Sequence, residues 1–307
     1  MHIRTPLLHS RALSRKAGGE VWLKMESSQP AGSFKIRGVG HACRTHRSRG
    51  ARGFLSSSGG NAGLAVAFAG RQLGVPVTVI VPKTTKPRAI ELIRGEDAEV
   101  IVHGEDWNAA HAHALSLVAD GRPLIHPYDD PLLWEGHASL VTEVHHDWGD
   151  TPPDLVVVSV GGGGLLCGVL RGLDECGWSK TPVLAVETEG AASLHAALTA
   201  GKPVMLPAIT SIATSLGARQ VAQHAFDEAR RRGVTSRVVS DAAAVRACNA
   251  FLDDHRTLVE PACGASLVPV YEAHALLKGK SRVLVVVCGG VGVTREQLCA
   301  WTEQVGA

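Results

Sequence analysis

The chain has 307 residues, enough for one large domain or two smaller ones with an ample core. Hydrophobic residues make up 45% and charged residues 20%, a balance that excludes a disordered chain. A net charge of +2 with scattered basic residues leaves no electrostatic footprint for nucleic acid, and no apolar run reaches membrane-spanning length. The basic cluster Arg44 to Arg52 contains no aromatic and reads as a solvated helix end. Seven cysteines occur without a CxxC pair, which suits neither zinc nor a disulfide framework. Free thiols and the lack of a signal-peptide pattern lead to the expectation of a soluble cytoplasmic protein.

In chain order, Val21 to Glu26 alternates and reads as a strand leading into a turn at Pro30 and Gly32. Ser33 is expected to cap the next helix, with Lys35 in its first turn. A cation there faces the positive end of the helix dipole. Flanked by Phe34 and Ile36, Lys35 is a candidate for a depressed pKa, and a neutral amine is what Schiff-base chemistry needs. Strands are expected at 54–56, 77–81, 99–102 and 124–125, with helices at 62–73, 87–94 and 107–119. A longer helix follows at 131–148. Unbroken β-branched strands occupy 155–160, 183–186 and 283–287. Helices are expected at 165–173, 191–199, 220–232, 242–254, 265–277 and 294–304. Alternating β and α segments imply an α/β fold with parallel sheets covered by helices.

Several loops carry chemistry. Gly161-Gly162-Gly163-Gly164 lies between a strand and a helix, a pattern that turns consecutive N–H groups toward one anion. The dinucleotide alternative uses Gly162, Gly164 and Gly168, spaced one residue too wide for GxGxxG, with Glu187 as a ribose partner. Ser56 to Gly63, with Ser58-Gly59-Gly60-Asn61-Ala62 at its centre, is a second anion-shaped loop entering a helix. Two such loops suggest a ligand with two anionic ends. Cys288-Gly289-Gly290 ends a buried strand, where open α/β sheets place ligands. Glu260-Pro261-Ala262-Cys263-Gly264-Ala265 reads as a packed helix start at a dimer or ligand side, without a catalytic role. His111, His113, His145 and His146 read as solvated.

Ser33-Phe34-Lys35-Ile36-Arg37-Gly38 resembles the cofactor-lysine motif of the serine/threonine dehydratases, which use pyridoxal 5'-phosphate (PLP) on the fold type II scaffold. The resemblance runs from Thr5-Pro6-Leu7 to the last helix, and the short liver-type L-serine dehydratases are the nearest branch. It implies two parallel-sheet, three-layer domains like those of tryptophan synthase β. Residues 1–33 and 128–307 would form the large PLP-binding domain and 34–127 a small inserted one. No regulatory domain of the long threonine deaminases is expected.

By the same resemblance Lys35 holds PLP through a Schiff base, with Phe34 beside the ring. Gly161, Gly162, Gly163, Gly164 and Leu165 hold the phosphate, and Cys288 faces the pyridine nitrogen. Asn61 bonds the ring hydroxyl oxygen. Ser58 and the amides of Gly59, Gly60, Asn61 and Ala62 hold the substrate carboxylate, with Ser215 nearby. Position 59 is often alanine in relatives, so glycine leaves room there. Gly161, Glu187, Ala191, Ser193, Leu216 and Ala218 match a monovalent-cation site, with potassium the implied ion. A homodimer is implied. The implied reaction is β-elimination: Lys35 takes the α-proton, the cofactor phosphate protonates the leaving hydroxyl, and serine or threonine gives ammonia plus pyruvate or 2-oxobutanoate. Three alternatives stay open: a racemase using Ser58 or Ser215 as a second acid/base, a nicotinamide oxidoreductase, and a non-catalytic binding protein.

Overall fold

Strands rich in Val and Leu, buried on both faces, build the framework that the computed structural model describes for residues 1–118 and 121–307. In chain order the elements are β1 (Leu7–His9), α1 (Arg11–Ala17), β2 (Glu20–Lys24), α2 (Lys35–Ser48), β3 (Phe54–Ser56), α3 (Asn61–Leu73), β4 (Val77–Val81), α4 (Pro87–Arg94), β5 (Glu99–Val102) and α5 (Trp107–Ser116). There follow α6 (Pro131–Trp148), β6 (Leu155–Ser159), α7 (Gly164–Glu175), β7 (Val183–Thr188), α8 (Ser193–Ala200), α9 (Gln223–Arg231), β8 (Thr235–Val239), α10 (Asp241–His255), α11 (Pro261–Tyr271), β9 (Arg282–Val286) and α12 (Arg295–Val305).

These strands form two sheets. The larger runs β1-β2-β9-β6-β7-β8, parallel except for β1 at its edge; the smaller is a parallel β3-β4-β5. Its central strands β9, β6 and β7 are buried on both faces, as helices on either side of a parallel sheet require. Both faces of the small sheet are covered too. Phe54, Val77, Val79 and Val81 pack toward α2 and α3, while Leu55 and Ile80 pack on Ala110 and Ala114 of α5. The register puts the carboxyl ends of β6 and β9 side by side, with Leu155 opposite Val283 and Val157 opposite Val285. The glycine loop and Cys288 therefore emerge from neighbouring strands.

Local rules fail at a few places. Ser33 does not cap a helix. Phe34 takes the cap position in helical geometry, α2 begins at Lys35, and the Ser33 hydroxyl is buried without a partner among the described residues. The backbone of Ser33 is instead bridged to Gly289. Residues 124–125 form no strand; Leu124 makes one parallel bridge to Leu55. The helix expected at 265–277 begins at Pro261, whose missing N–H suits a first turn, and ends at Tyr271. The segment 107–116 is helical; residue 119, the last of the expected helix, lies outside the described residues. β1, α1 and β8 carry no clear periodicity and were not expected; both strands are sheet edges, where burial imposes least pattern.

Candidate active site

The lysine turn is stitched to the loop after β9. Gly290 N–H donates to Gly32 O at 2.8 Å, and Phe34 N–H to Cys288 O at 3.2 Å. Gly32 has φ +72°, and a Cβ there would lie 2.2 Å from Val291, so only glycine lets the two loops meet. Lys35 then points across to the segment before α6, where its Nζ donates to Pro127 O at 2.6 Å. Burial lowers the amine's pKa to about 8, partly opposed by Cys288 and Glu260. The Phe34 ring lies 5.1 Å from Nζ and 5.0 Å from the ring of His137. His137 accepts from Gly38 N–H through Nδ1 at 3.2 Å. Burial, then Lys35 and Arg37, hold its pKa well below the usual histidine range, so it stays neutral.

Two residues along α2, Arg37 anchors the helix. Its guanidinium forks onto two carboxylates, Glu26 at 2.6 and 2.8 Å and Glu143 at 2.7 and 2.7 Å. Lys24 Nζ completes the group by donating to Glu143 and to Thr5 O. Two cations and two anions leave no net charge, with Lys24, Glu26 and Arg37 buried and Glu143 half-buried, and β2, α2 and α6 are fixed together by it.

The glycine loop faces the same space. Its third member, Gly163, has φ +97°, and α7 starts at Gly164 with no side-chain cap. Among the described residues the amides of Gly162, Gly163, Gly164 and Leu165 find no protein acceptor. That leaves several N–H dipoles at a helix N-terminus for an anion. Tyr128, next in sequence to the Lys35 acceptor Pro127, lies on this loop: a Cβ at Gly162 would sit 2.3–2.5 Å from its ring atoms. The lysine and the glycine cradle thus share one wall.

The serine loop enters from the small sheet. Ser58 Oγ accepts from Gly60 N–H at 3.3 Å, and a Cβ at Gly63 would strike Ser58 O at 1.8 Å, so the loop closes on itself. The amides of Gly59, Asn61 and Ala62 have no protein acceptor among the described residues. Gly59 does not leave free room: a Cβ there would lie 2.7 Å from Thr85 Cγ2, and Thr85 fills the gap. Ser57 bonds His111 Nδ1 at 2.9 Å, and His111 stacks on Trp107, so His111 is a packed residue rather than a solvated one.

Asn61 is the hub between the sheets. Its Nδ2 donates to Glu260 Oε1 at 2.9 Å and lies 3.3 Å from Ser215 Oγ, while its Oδ1 accepts from Val291 N–H at 3.0 Å. The sequence places Glu260 at a packed helix start on the dimer or cofactor side, with no catalytic role; its carboxylate lies in the site, against Gly290 and Gly292. The sequence offered only a helix start ahead of Pro261, which carries no sign of the side chain's destination. Tyr128, His137 and His126 were also missed. Burial, then His111 and Lys35, lower the His126 pKa to about 4.

The residues matched to a cation site come together in part. Gly161 packs on Leu216, and Glu187 lies beside Ser193, whose buried hydroxyl has no partner. Glu187 accepts from the amides of Leu194 and His195, both at 2.8 Å, and no Lys or Arg pairs with it among the described residues. A carboxylate so engaged at the start of α8 is not presented to a ribose, which removes the geometry of the dinucleotide alternative.

The family of pyridoxal-phosphate-dependent enzymes matches residues 1–289. The chain belongs to that family. It is 49% identical to human L-serine dehydratase/L-threonine deaminase, over 100% of this chain and 96% of that one. A fungal L-serine ammonia-lyase from Rhizomucor miehei superposes with a TM-score of 0.93 at 37% identity, covering 99% and 98% of the two chains. A maize serine racemase, at 24% identity and TM-score 0.88 over 99% and 92%, shares the fold.

The pocket fits the family's cofactor. The unpaired amides from Gly162 to Leu165 suit a phosphate, and Lys35 is an amine whose neutral form burial favours. At the far end Cys288 is a neutral thiol, its pKa raised well above the usual range by the neighbouring Cys263 and by burial. A neutral thiol is a weak partner for a pyridine nitrogen. As a fold type II PLP enzyme of α/β architecture, the chain presents these groups at the carboxyl ends of its strands.

Proposed function

We propose that this chain is an L-serine dehydratase that also deaminates L-threonine, releasing ammonia with pyruvate or 2-oxobutanoate. The observation that carries the reading is the desolvated Lys35 amine on the same wall as the free amides of the glycine loop. Full-length similarity to an L-serine dehydratase/L-threonine deaminase supports the choice of substrate.

When bound, PLP supplies an electrophilic carbon for an amine and a conjugated ring that takes up the electron pair left at the substrate's α-carbon. Lys35 would hold the group through its amine, and the freed amine would be the base that takes the α-proton. Phe34, beside the Lys35 amine, would pack along the ring. The amides of Gly162, Gly163, Gly164 and Leu165 bind phosphate, with Gly161 shaping the loop. Ser58 and the amides of Gly59, Gly60, Asn61 and Ala62 bind and orient the substrate carboxylate, and Ser215 lines the same side. Loss of the β-hydroxyl as water yields 2-aminoacrylate or its methyl homologue, which hydrolyses to the 2-oxoacid and ammonia.

A monovalent cation, potassium by ligand type, is part of the proposal. Its ligands would be Gly161, Glu187, Ala191, Ser193, Leu216 and Ala218, and a buried carboxylate with no Lys or Arg partner among the described residues, beside a hydroxyl without a partner among them, supports it. The division into a large unit (1–33 and 128–307) and a small one (34–127) follows the two sheets. Seven free cysteines support a reducing, cytoplasmic setting, and no helix among the described residues is long and apolar enough to cross a membrane. A homodimer is carried over from the family resemblance and is checked by light scattering.

The test is 2-oxoacid formation from L-serine and L-threonine. Lys35→Ala lowers it by about a thousandfold or more. Undiminished turnover by that variant would overturn the assignment.

A further inference from the structure

Glu260 is a buried carboxylate to which the β-elimination chemistry above gives no task. It starts α11, and its side chain turns away from that helix into the space between the two sheets. Room for it exists because positions 290 and 292 are glycines. A Cβ at Gly290 would lie 2.0 Å from the Glu260 carboxyl carbon and 2.2 Å from Oε2; at Gly292 it would lie 3.1 Å from Oε2. Oε1 accepts from Asn61 Nδ2 and Oε2 from Gly292 N–H at 3.3 Å. Burying a carboxylate is costly, and a residue whose only duty was packing would be better served by an apolar side chain.

The groups facing this carboxylate come from five elements. They are Lys35 at the start of α2, Asn61 at the start of α3, Ser215 in the turn 214–216, Cys248 on α10, and Cys288 beyond β9. Burial raises the Glu260 pKa, which the hydrogen bonds from Ser215, Asn61 and Gly292 and the charge of Lys35 oppose. Lys35 has two acids near it, Cys288 and Glu260. The thiol stays neutral, and the hydrogen bonds from Ser215, Asn61 and Gly292 favour the charged form of the Glu260 carboxyl, which makes it the acid near Lys35 that can carry a counter-charge.

We propose that Glu260 is a positioning residue that fixes the Asn61 amide toward the cofactor ring and supplies the negative counter-charge to the Lys35 amine. This rests on the reading of Lys35 as the amine that holds PLP. Asn61 has its orientation fixed from both ends, since Val291 N–H needs the oxygen and Glu260 needs the nitrogen. Two functions then follow from one side chain: it aims an amide, and it keeps Lys35 from becoming too weak a base in its desolvated site.

The test uses the full-length chain freed of cofactor, with competitive acetylation read at the Lys35 peptide across pH. Glu260→Gln lowers the Lys35 midpoint by about one unit, because an opposing charge has been removed. It also weakens PLP binding, because one Gln cannot accept from both Asn61 and Gly292. Glu260→Asp restores the midpoint but not the affinity, since the charge stays and the reach to Asn61 is lost. A folded Gln variant with the wild-type midpoint would overturn the proposal. Should the Gln variant fail to fold, the Asp variant decides alone: wild-type PLP affinity, or a lowered midpoint, would overturn it. Borohydride fixation of PLP on wild-type Lys35 is the separate control; its failure would count against the assigned function and leave the Glu260 result readable by itself.

Discussion

At the scale of single residues, the decisive number is the Lys35 pKa. Burial drives it to about 8, well under that of a free lysine. In the cofactor-free chain, capture of PLP therefore rises with pH through a midpoint near 8. A midpoint near that of a free lysine, measured by borohydride trapping at a series of pH values, would show the amine to be solvated. Gly162 gives a second residue-level expectation. An alanine methyl would fall 2.3–2.5 Å from the Tyr128 ring. Gly162→Ala should cost about 1–3 kcal/mol in unfolding free energy. Because the clash is with one side chain, Tyr128→Ala in the same chain should return most of that loss in a double-mutant cycle. Equal losses in both backgrounds would place the strain in the loop itself. Lys35 and the four glycines were legible in sequence because their chemistry is written in local spacing. Glu260 and Tyr128 were not, because their roles depend on contacts made across long stretches of chain.

At the scale of elements, helix α2 is held by charge rather than by a cap. Sequence rules favour Ser33 as N-cap, yet its backbone is bridged to Gly289 and its hydroxyl has no partner among the described residues. Ser33→Ala should therefore cost less than the roughly 1 kcal/mol of a lost cap, as read from the denaturation midpoint. The real anchor is Arg37 between Glu26 and Glu143. Arg37→Ala leaves the Glu26 carboxylate buried without its cation and Glu143 with Lys24 alone, and should cost about 3–5 kcal/mol. Burial alone would push the Glu143 carboxyl up, but hydrogen bonds and charge from Arg37 and Lys24 hold it below its usual value. Its contribution to stability is thus present above the unfolded-state pKa and is lost as pH falls through the lower folded one. A wild-type Tm that stays flat across that acid window would contradict the anchor. The central strands and long helices were readable from hydrophobic period. The edge elements β1 and β8 were not, since half of each is free of core packing.

At the scale of the whole molecule, three loops from distant parts of the chain meet between two sheets. Each sits at the carboxyl end of a parallel strand or at a helix start, which is where backbone N–H groups and side-chain ends are free. The alternation of strands and helices announced parallel sheets, but not that Asn61 of the small sheet would be tied to Glu260 and Val291 of the large one. On the proposed reading, that convergence is what would make an isolated lysine a cofactor amine. It is tested most directly by reducing the PLP-loaded protein with borohydride and mapping its peptides by mass spectrometry. The account predicts a single pyridoxyl group on the peptide that contains Lys35. A pyridoxyl group on any other lysine, or on none, would contradict it.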